Sequence, residues 1–224
     1  MLKCKCRQDV AAMDFIRARS GEQKRIRIEQ ITNVAAELYV EIGYDKVTFS
    51  EIGRKLNFTR RNLYNYFRCK EDIFLTLLLQ DIENMVEDAE KTFTEPVEDQ
   101  ENFCLAWAGM LLSHQRMLAL FGIVNTVILK DATSDVHRSF RIEMNRSFNR
   151  LKAVVQRIFP QFSEEQAYQF VEYENSYAMT LYPASLEYKE FHHIEIFPDA
   201  GFGTKGFVPQ FVKFLRRLLK GLRE

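Results

Sequence analysis

No stretch of this 224-residue chain is apolar for long enough to cross a bilayer, which takes about 20 consecutive apolar residues in a helix. The opening segment, MLKCKCRQDVAAMDFIRARS, lacks the long apolar block and small-residue cleavage site of a secretory signal. Cysteine is scarce, and Cys4, Cys6, Cys69 and Cys104 are too scattered for the framework of a disulfide-stapled secreted domain. These absences lead us to expect a cytoplasmic protein. Cys4-Lys5-Cys6 reads either as a metal or redox pair or as part of a mobile tail. Nothing nearby completes a tetrahedral site, so the tail is preferred and no metal or cofactor is expected. There is no internal repeat, no low-complexity tract and no convincing strand pattern. Catalysis lacks a signature too: Ser185, Glu187 and His192 form no nucleophile and base pair, so the chain does not read as an enzyme.

What is present is an ordinary globular composition, 46% hydrophobic and 28% charged, with zero formal net charge. That zero conceals a polarity. Residues 1–70 hold 15 Lys and Arg against 8 Asp and Glu, or +7, which leaves −7 for the remainder. A cationic N-terminal part points to a polyanionic partner there, which the acidic remainder would repel.

Apolar residues at steps of three and four, Ile28, Ile31, Ala35, Leu38 and Ile42, predict a helix over 22–42 that Gly43 ends. A second helix starts at Thr48, where Glu51 completes a capping box and Phe49, Ile52 and Leu56 form the buried stripe. A turn at Asn57-Phe58 follows, then Thr59 as N-cap of a third helix over 60–67 with Leu63 and Phe67 inward. A long helix runs from Lys70 to about residue 94, and further helices are predicted at about 98–121, 122–130, 134–158, 163–188 and 207–222. Residues 190–207, with three glycines and a proline, form the one long loop. The fold class is all-α, dividing at residue 70: residues 1–70 a basic arm and a three-helix domain, residues 71–224 a larger helical domain.

Helix, four-residue turn, short helix is helix-turn-helix geometry, whose second helix enters the major groove of DNA. With Leu63 and Phe67 turned inward, Arg60, Arg61, Asn62, Tyr64, Asn65 and Tyr66 are left on the outer surface. Arginine forks match guanine edges or phosphates, asparagine pairs with adenine, and tyrosine hydroxyls donate to phosphates. The rival reading, a merely solvated helix face, does not account for the turn, the tyrosines and Lys70 standing in register. The basic arm with Arg17 and Arg19 reads as a solvated tail or as a contact to backbone or minor groove.

The stretch VTFSEIGRKLNFTRRNLYNYFRCKEDIF resembles the DNA-binding motif of the TetR family of bacterial repressors over roughly residues 22–75. Its most specific parts are Leu63-Tyr64-Asn65-Tyr66-Phe67 and Lys70-Glu71-Asp72. The resemblance implies phosphate contacts from Thr48, Tyr64, Tyr66 and Lys70, the last at a helix N-terminus. It also implies a double-stranded DNA operator, a homodimer, and a C-terminal domain that encloses a small-molecule effector. Three departures stand out: Gly53 where relatives usually carry alanine, Leu56-Asn57 for Ala-Gly, and Arg61-Asn62 for Gly-Thr. An arginine at 61 must reach into the groove or along a phosphate, so base preference should differ from that of typical relatives.

In the acidic part, Trp107, Met110, His114, Met117 and Phe121 recur on one face of a predicted helix, and Met144, Phe148, Tyr173 and Tyr177, with Phe140, offer a comparable surface further on. Such stripes are commonly plain core. The mixture of Trp, Met and His also suits a cavity for an apolar or aromatic effector. His114 reads as a satisfied core histidine or as an effector contact. His192 and His193, with Glu190 and Glu195, read as an exposed polar loop. The apolar band of Phe207, Phe211, Phe214, Leu215, Leu218 and Leu222, together with 163–188, is the expected dimer contact. The long helix from Lys70 is the expected lever of a repressor that its effector releases. The alternative is a DNA-binding regulator or architectural protein with no effector.

Overall fold

In the computed structural model, the backbone is described over residues 6–191 and 206–223 and side chains over 21–186 and 206–223. The expectations placed on Cys4, Cys6, Arg17, Arg19, Glu187, Glu190, His192, His193 and Glu195 fall outside the described side chains. Among the described residues there are helices and turns and no strand. The chain falls into two compact units, Met1–Leu77 and Leu78–Glu224.

The first unit begins with α1, Cys6–Ile42, which starts well before the expected residue 22. No glycine or proline interrupts the sequence between Cys6 and Gly21, so nothing stops helix from forming ahead of the apolar rhythm. Gly43, at φ 78°, ends α1 in a conformation that favours glycine, and a single 3₁₀ turn, Tyr44–Lys46, follows. α2 (Phe49–Leu56) and α3 (Arg60–Tyr64) pack on α1 and on each other, burying Ile31, Ala35, Leu38, Ile52, Leu63 and Phe67. Each large apolar side chain so buried contributes about 1.5–3 kcal/mol. α3 is shorter than expected: Asn65 and Tyr66 form a turn, from which Phe67 still reaches the core. α4 (Lys70–Thr92) contributes to both units. Its first turns bury Ile73, Phe74, Leu75 and Leu77, and the Phe74 ring lies 4.8 Å from that of Tyr44 and 6.0 Å from that of Tyr39. This packing explains why the first unit runs past residue 70.

In the second unit, the helix expected over 98–121 is two helices, α5 (Gln100–Ser113) and α6 (Gln115–Ile123), with a 75° bend at His114. Asp99 starts α5, its Oδ1 accepting from the N–H groups of Glu101 and Asn102 at 2.9 and 3.2 Å. A π-helical turn, Val124–Ile128, and α7 (Leu129–Asp131) lead to α8 (Ser134–Ile158), α9 (Glu164–Phe191) and α10 (Phe207–Gly221). α9 is the centre of this unit, packed by α6, α8 and α10, while α10 also packs on α5. A Cβ on Gly122 would stand 3.0 Å from Pro183 Cγ, so glycine is what lets α6 close on α9 there. No single helix among the described residues is long and apolar enough to cross a membrane.

Charged pairs fasten the outer side. Arg116 forks onto Asp81 at 2.8 and 2.6 Å, and Arg150 onto Glu90 at 2.9 and 2.6 Å with a further bond to Glu83. Paired carboxylates hold the Arg150 guanidinium pKa above its ordinary value, its hydrogen bonds to Glu90 contributing most.

Candidate functional site

The helix-turn-helix is built by local rules acting together. Thr48 Oγ1 accepts from Glu51 N–H at 3.2 Å and starts α2; Thr59 Oγ1 accepts from Asn62 N–H at 3.2 Å and starts α3. Between them Asn57 takes the left-handed conformation, φ 54°. Phe58 N–H donates to Gly53 O at 2.9 Å, and a Cβ on residue 53 would lie 2.8 Å from Phe58 O. That close approach is the physical reason for glycine at 53 in this chain: the turn returns so tightly that no larger residue fits without moving backbone.

Arg60, Arg61, Asn62, Tyr64 and Asn65 are exposed, Tyr66 is half-buried, and Leu63 and Phe67 are buried beneath them. Tyr64, 49% exposed, is an aromatic ring held at the surface. It is propped against Phe49, centroids 5.0 Å apart, and the Arg60 guanidinium lies 5.8 Å from its centre. Lys70 is half-buried at the start of α4, its Nζ donating to Tyr44 O at 3.3 Å and lying 4.3 Å from the Tyr44 ring centre. Tyr44 is itself fixed by donating its hydroxyl proton to Glu71 Oε1 at 3.1 Å.

Two hollows flank α3. One, of about 310 Å³, is lined by Thr48, Phe49, Arg60, Tyr64, Arg68 and Lys70, with Val47 and Cys69 at its edge. It brings together Thr48, Arg60, Tyr64 and Lys70, which lie up to 22 positions apart in the sequence (70 − 48). The other, of about 640 Å³, is lined by Asn65 and Tyr66 with Gln23, Lys24, Ile26, Arg27 and Gln30 of α1. Thr59, Arg61 and Asn62 line neither hollow and are exposed. Arg68, Lys24 and Arg27 were not singled out from the sequence. Arg68 belongs to the same cationic run, and Lys24 and Arg27 sit in the segment Gln-Lys-Arg-Ile-Arg, whose charge was the available signal. Arg27 also stacks over Phe58, 5.2 Å from its centre, which ties α1 to the turn. Burial pushes the Cys69 thiol up to about 11, so it lines its hollow as a neutral group.

The residues expected to contact an effector are distributed rather than gathered on one stripe, because the bend at His114 turns α6 away from α5. Trp107 is buried among Phe93, Phe103 and Phe170, with ring centroids 5.0, 5.5 and 5.5 Å away. Met117 and Phe121 are buried on α6, and Phe121 stacks on half-buried Phe148 at 6.5 Å. Met110 and Met144 are half-buried. His114 Nε2 lies 3.0 Å from Asp88 Oδ2. Tyr177 stacks on Phe214 of α10 at 4.1 Å, whereas Tyr173 is 46% exposed. A surface groove of about 590 Å³ on α8, lined by Ile142, Asn145, Arg146, Asn149, Arg150 and Ala153, includes none of these nine.

One buried charge was not singled out from the sequence. Glu174 on α9 is fully buried, and Trp107 and Glu174 each keep a buried polar atom, Nε1 and Oε2, without a hydrogen-bond partner. The signal was legible as a charge at the centre of the apolar stripe Ala167, Phe170, Ala178 and Leu181. Burial pushes the Glu174 carboxyl up to about 8, opposed only by the Trp107 N–H, which lies close enough to favour the ionised form but outside hydrogen-bond geometry.

Family comparison matches residues 31–77 to the bacterial regulatory proteins of the tetR family and residues 79–224 to the tetracyclin repressor-like C-terminal domain. The fatty acid metabolism regulator protein of Bacillus subtilis (strain 168) is 30% identical over 84 residues, 38% of this chain and 43% of that protein. The match thus spans less than half the length of that relative. In fold, the chain is similar to FadR from Bacillus subtilis in complex with stearoyl-CoA, with TM-score 0.55 and 17% identity over 86% of this chain and 98% of that one. It is also similar to a possible TetR family transcriptional regulator from Streptomyces coelicolor, with TM-score 0.58 and 17% identity over 88% and 98%.

Proposed function

Because the chain belongs to the TetR family of bacterial regulators, we propose that it binds a two-fold operator as a homodimer and leaves it when a small apolar effector enters the helical unit. The carrying observation is the hollow where Thr48, Arg60, Tyr64 and Lys70 converge beside α3. Hydroxyl, phenol, guanidinium and ammonium groups around one concave patch suit a phosphate, and the exposed face between the hollows is left for base edges. Of the charged side chains, Arg60 and Arg68 supply most of the counterion release, since Lys70 is partly engaged with Tyr44.

Two copies are needed because one short helix reads too few base pairs. The band on α10 is largely covered within the chain, with Phe207, Phe211, Leu215 and Leu222 buried. The dimer face is therefore better sought on α9, where Tyr168, Tyr173 and Leu186 remain exposed. The second unit is the effector domain in this reading, and stearoyl-CoA, bound by the FadR structure of similar fold, is the first compound to try. A regulator without an effector is the second reading, favoured by the close packing of Trp107, Met117 and Phe121.

Selection of bound fragments from random duplexes, followed by gel shift with and without stearoyl-CoA and cell extract, tests the proposal. A two-fold consensus lost on adding an apolar compound supports it. No retained duplex even at low salt overturns it, and binding that no compound alters favours the second reading.

A further inference from the structure

Besides the hollow beside Thr48 and Lys70, α3 is bordered by a second one, of about 640 Å³, between its C-terminal end and α1. We propose that this second hollow binds a phosphodiester of the DNA strand opposite the one held in the first, with Lys24 of α1 as its charged ligand and Tyr66 as its hydroxyl donor. The two hollows then grip the major groove from both sides. This rests on operator binding as proposed above and adds to it a site on a different helix.

The composition of the lining names the ligand. Its two charged residues, Lys24 and Arg27, are both cationic, and no carboxylate lines it. Gln23, Gln30, Asn65 and Tyr66 add hydrogen-bonding groups. Glu22, two positions from Lys24, is engaged by Arg25 at 2.7 Å, and Lys24 has no ion pair among the described residues. Arg27 is held in place: its guanidinium lies 5.2 Å from the Phe58 ring centre, and Nη1 donates to Gln30 Oε1 at 2.7 Å. Neither contact cancels its charge. Arg27 therefore keeps a fixed positive field at the hollow, while exposed Lys24, on the same face of α1 three positions away, reaches the anion.

Position around α3 decides the strand. The helical winding continues past Tyr64, since Phe67 N–H donates to Leu63 O at 3.0 Å. At about 100° per residue, Arg60 and Tyr64 fall on one flank of the buried pair Leu63 and Phe67, and Tyr66 falls on the other. Arg61 and Asn62 face outward between them. A recognition helix lies between the two phosphate spines of a major groove about 12 Å wide. A cationic hollow on each flank of α3 therefore meets one spine each, on opposite strands.

Ethylation interference on the selected operator reads each phosphate in turn. With the full-length wild type, two clusters of interfering phosphates per half-site are expected, one on each strand. Lys24→Gln should lose the cluster on one strand alone and keep the selected consensus. It should weaken binding about fivefold to tenfold at about 0.1 M salt and flatten the slope of log affinity against log salt by about 0.9. Tyr66→Phe should blunt the same cluster and leave the slope unchanged, since no charge is removed. Lys130→Gln, the same change at an exposed position of the second unit, should alter neither and sets the baseline for net charge. Interference confined to one strand in the wild type, or a Lys24→Gln variant no weaker than Lys130→Gln, would overturn the second hollow as a phosphate site while the regulator reading stands. A wild type that retains no duplex overturns both.

Discussion

Replacing Glu174 by glutamine should change how the stability of the protein depends on pH. The group is fully buried, so solvent screening does not reduce the effect, and glutamine preserves its shape and the bond from Asn175. A carboxyl whose pKa is raised on folding binds its proton more tightly in the folded chain. Its stabilising contribution is therefore complete below the unfolded value of 4.5 and is lost as pH rises through the folded value of about 8. That gap, at about 1.36 kcal/mol for each pH unit, amounts to roughly 5 kcal/mol across the window, of which about 3 kcal/mol is already lost at pH 7. Typical domains have only about 5–15 kcal/mol in total, so the effect is large enough to dominate the profile. Urea unfolding at fixed protein concentration between pH 5 and pH 8.5, followed by Trp107 emission, measures it. Subtracting wild type from Glu174→Gln cancels every titration the two share. The variant should gain on wild type steadily as pH rises. A difference that stays flat to within about 1 kcal/mol over this range would refute the account of Glu174 as a buried, protonated acid.

Gly53→Ala should destabilise the helix-turn-helix by about 1–3 kcal/mol, because its Cβ meets the Phe58 carbonyl at 2.8 Å and backbone must shift; thermal melting checks this. Thr59→Ala should cost about 1 kcal/mol by removing the cap of α3, read in the same melts. Arg60→Ala should weaken binding to all duplexes alike and flatten the slope of log affinity against log salt by about 0.9 for each phosphate left unneutralised, whereas Arg61→Gly should change the selected consensus more than the slope. Arg116→Ala should cost about 3 kcal/mol, since it strands Asp81, whose side chain is 8% exposed, without its forked partner; urea unfolding decides.

The all-α fold and the DNA-binding helices could be read from the sequence because local rules agree there. At Thr48, Glu51, Asn57, Thr59 and Leu63, caps, turn chemistry and helical spacing all give the same answer. Reading failed where the deciding neighbour is distant in sequence. His114 lies within an unbroken apolar rhythm, and nothing local announces a bend there. α10 has the pattern of an exposed interface, but α5 and α9 cover most of it. Glu174 drew no reading from the sequence because a helix carries charges on most faces, and only its register against Phe170 and Ala178 marks it. The hollow beside α3 needed Thr48 and Lys70 brought to Arg60 and Tyr64, which is a product of packing.

The two units depart from what stability alone favours, and they do so in opposite directions. In the first, apolar and cationic surface that a monomer would gain by covering is held outward. Tyr64 is kept exposed by its contacts with Phe49 and Arg60, and the tight turn beneath requires a left-handed Asn57 and a bare Gly53. In the second, the Glu174 carboxyl, which water would hydrate, is held inward between Asn175 and the Trp107 indole. A chain selected only for folding would place leucine at 174 and a small polar residue at 64, because each change removes a cost that the free protein bears. An outward excess of donors and charge gains free energy against a polyanion, whereas a buried carboxyl limits its cost by keeping its proton. The accounting that makes the outward site costly to the free protein therefore also specifies the chemistry of the partner that relieves it.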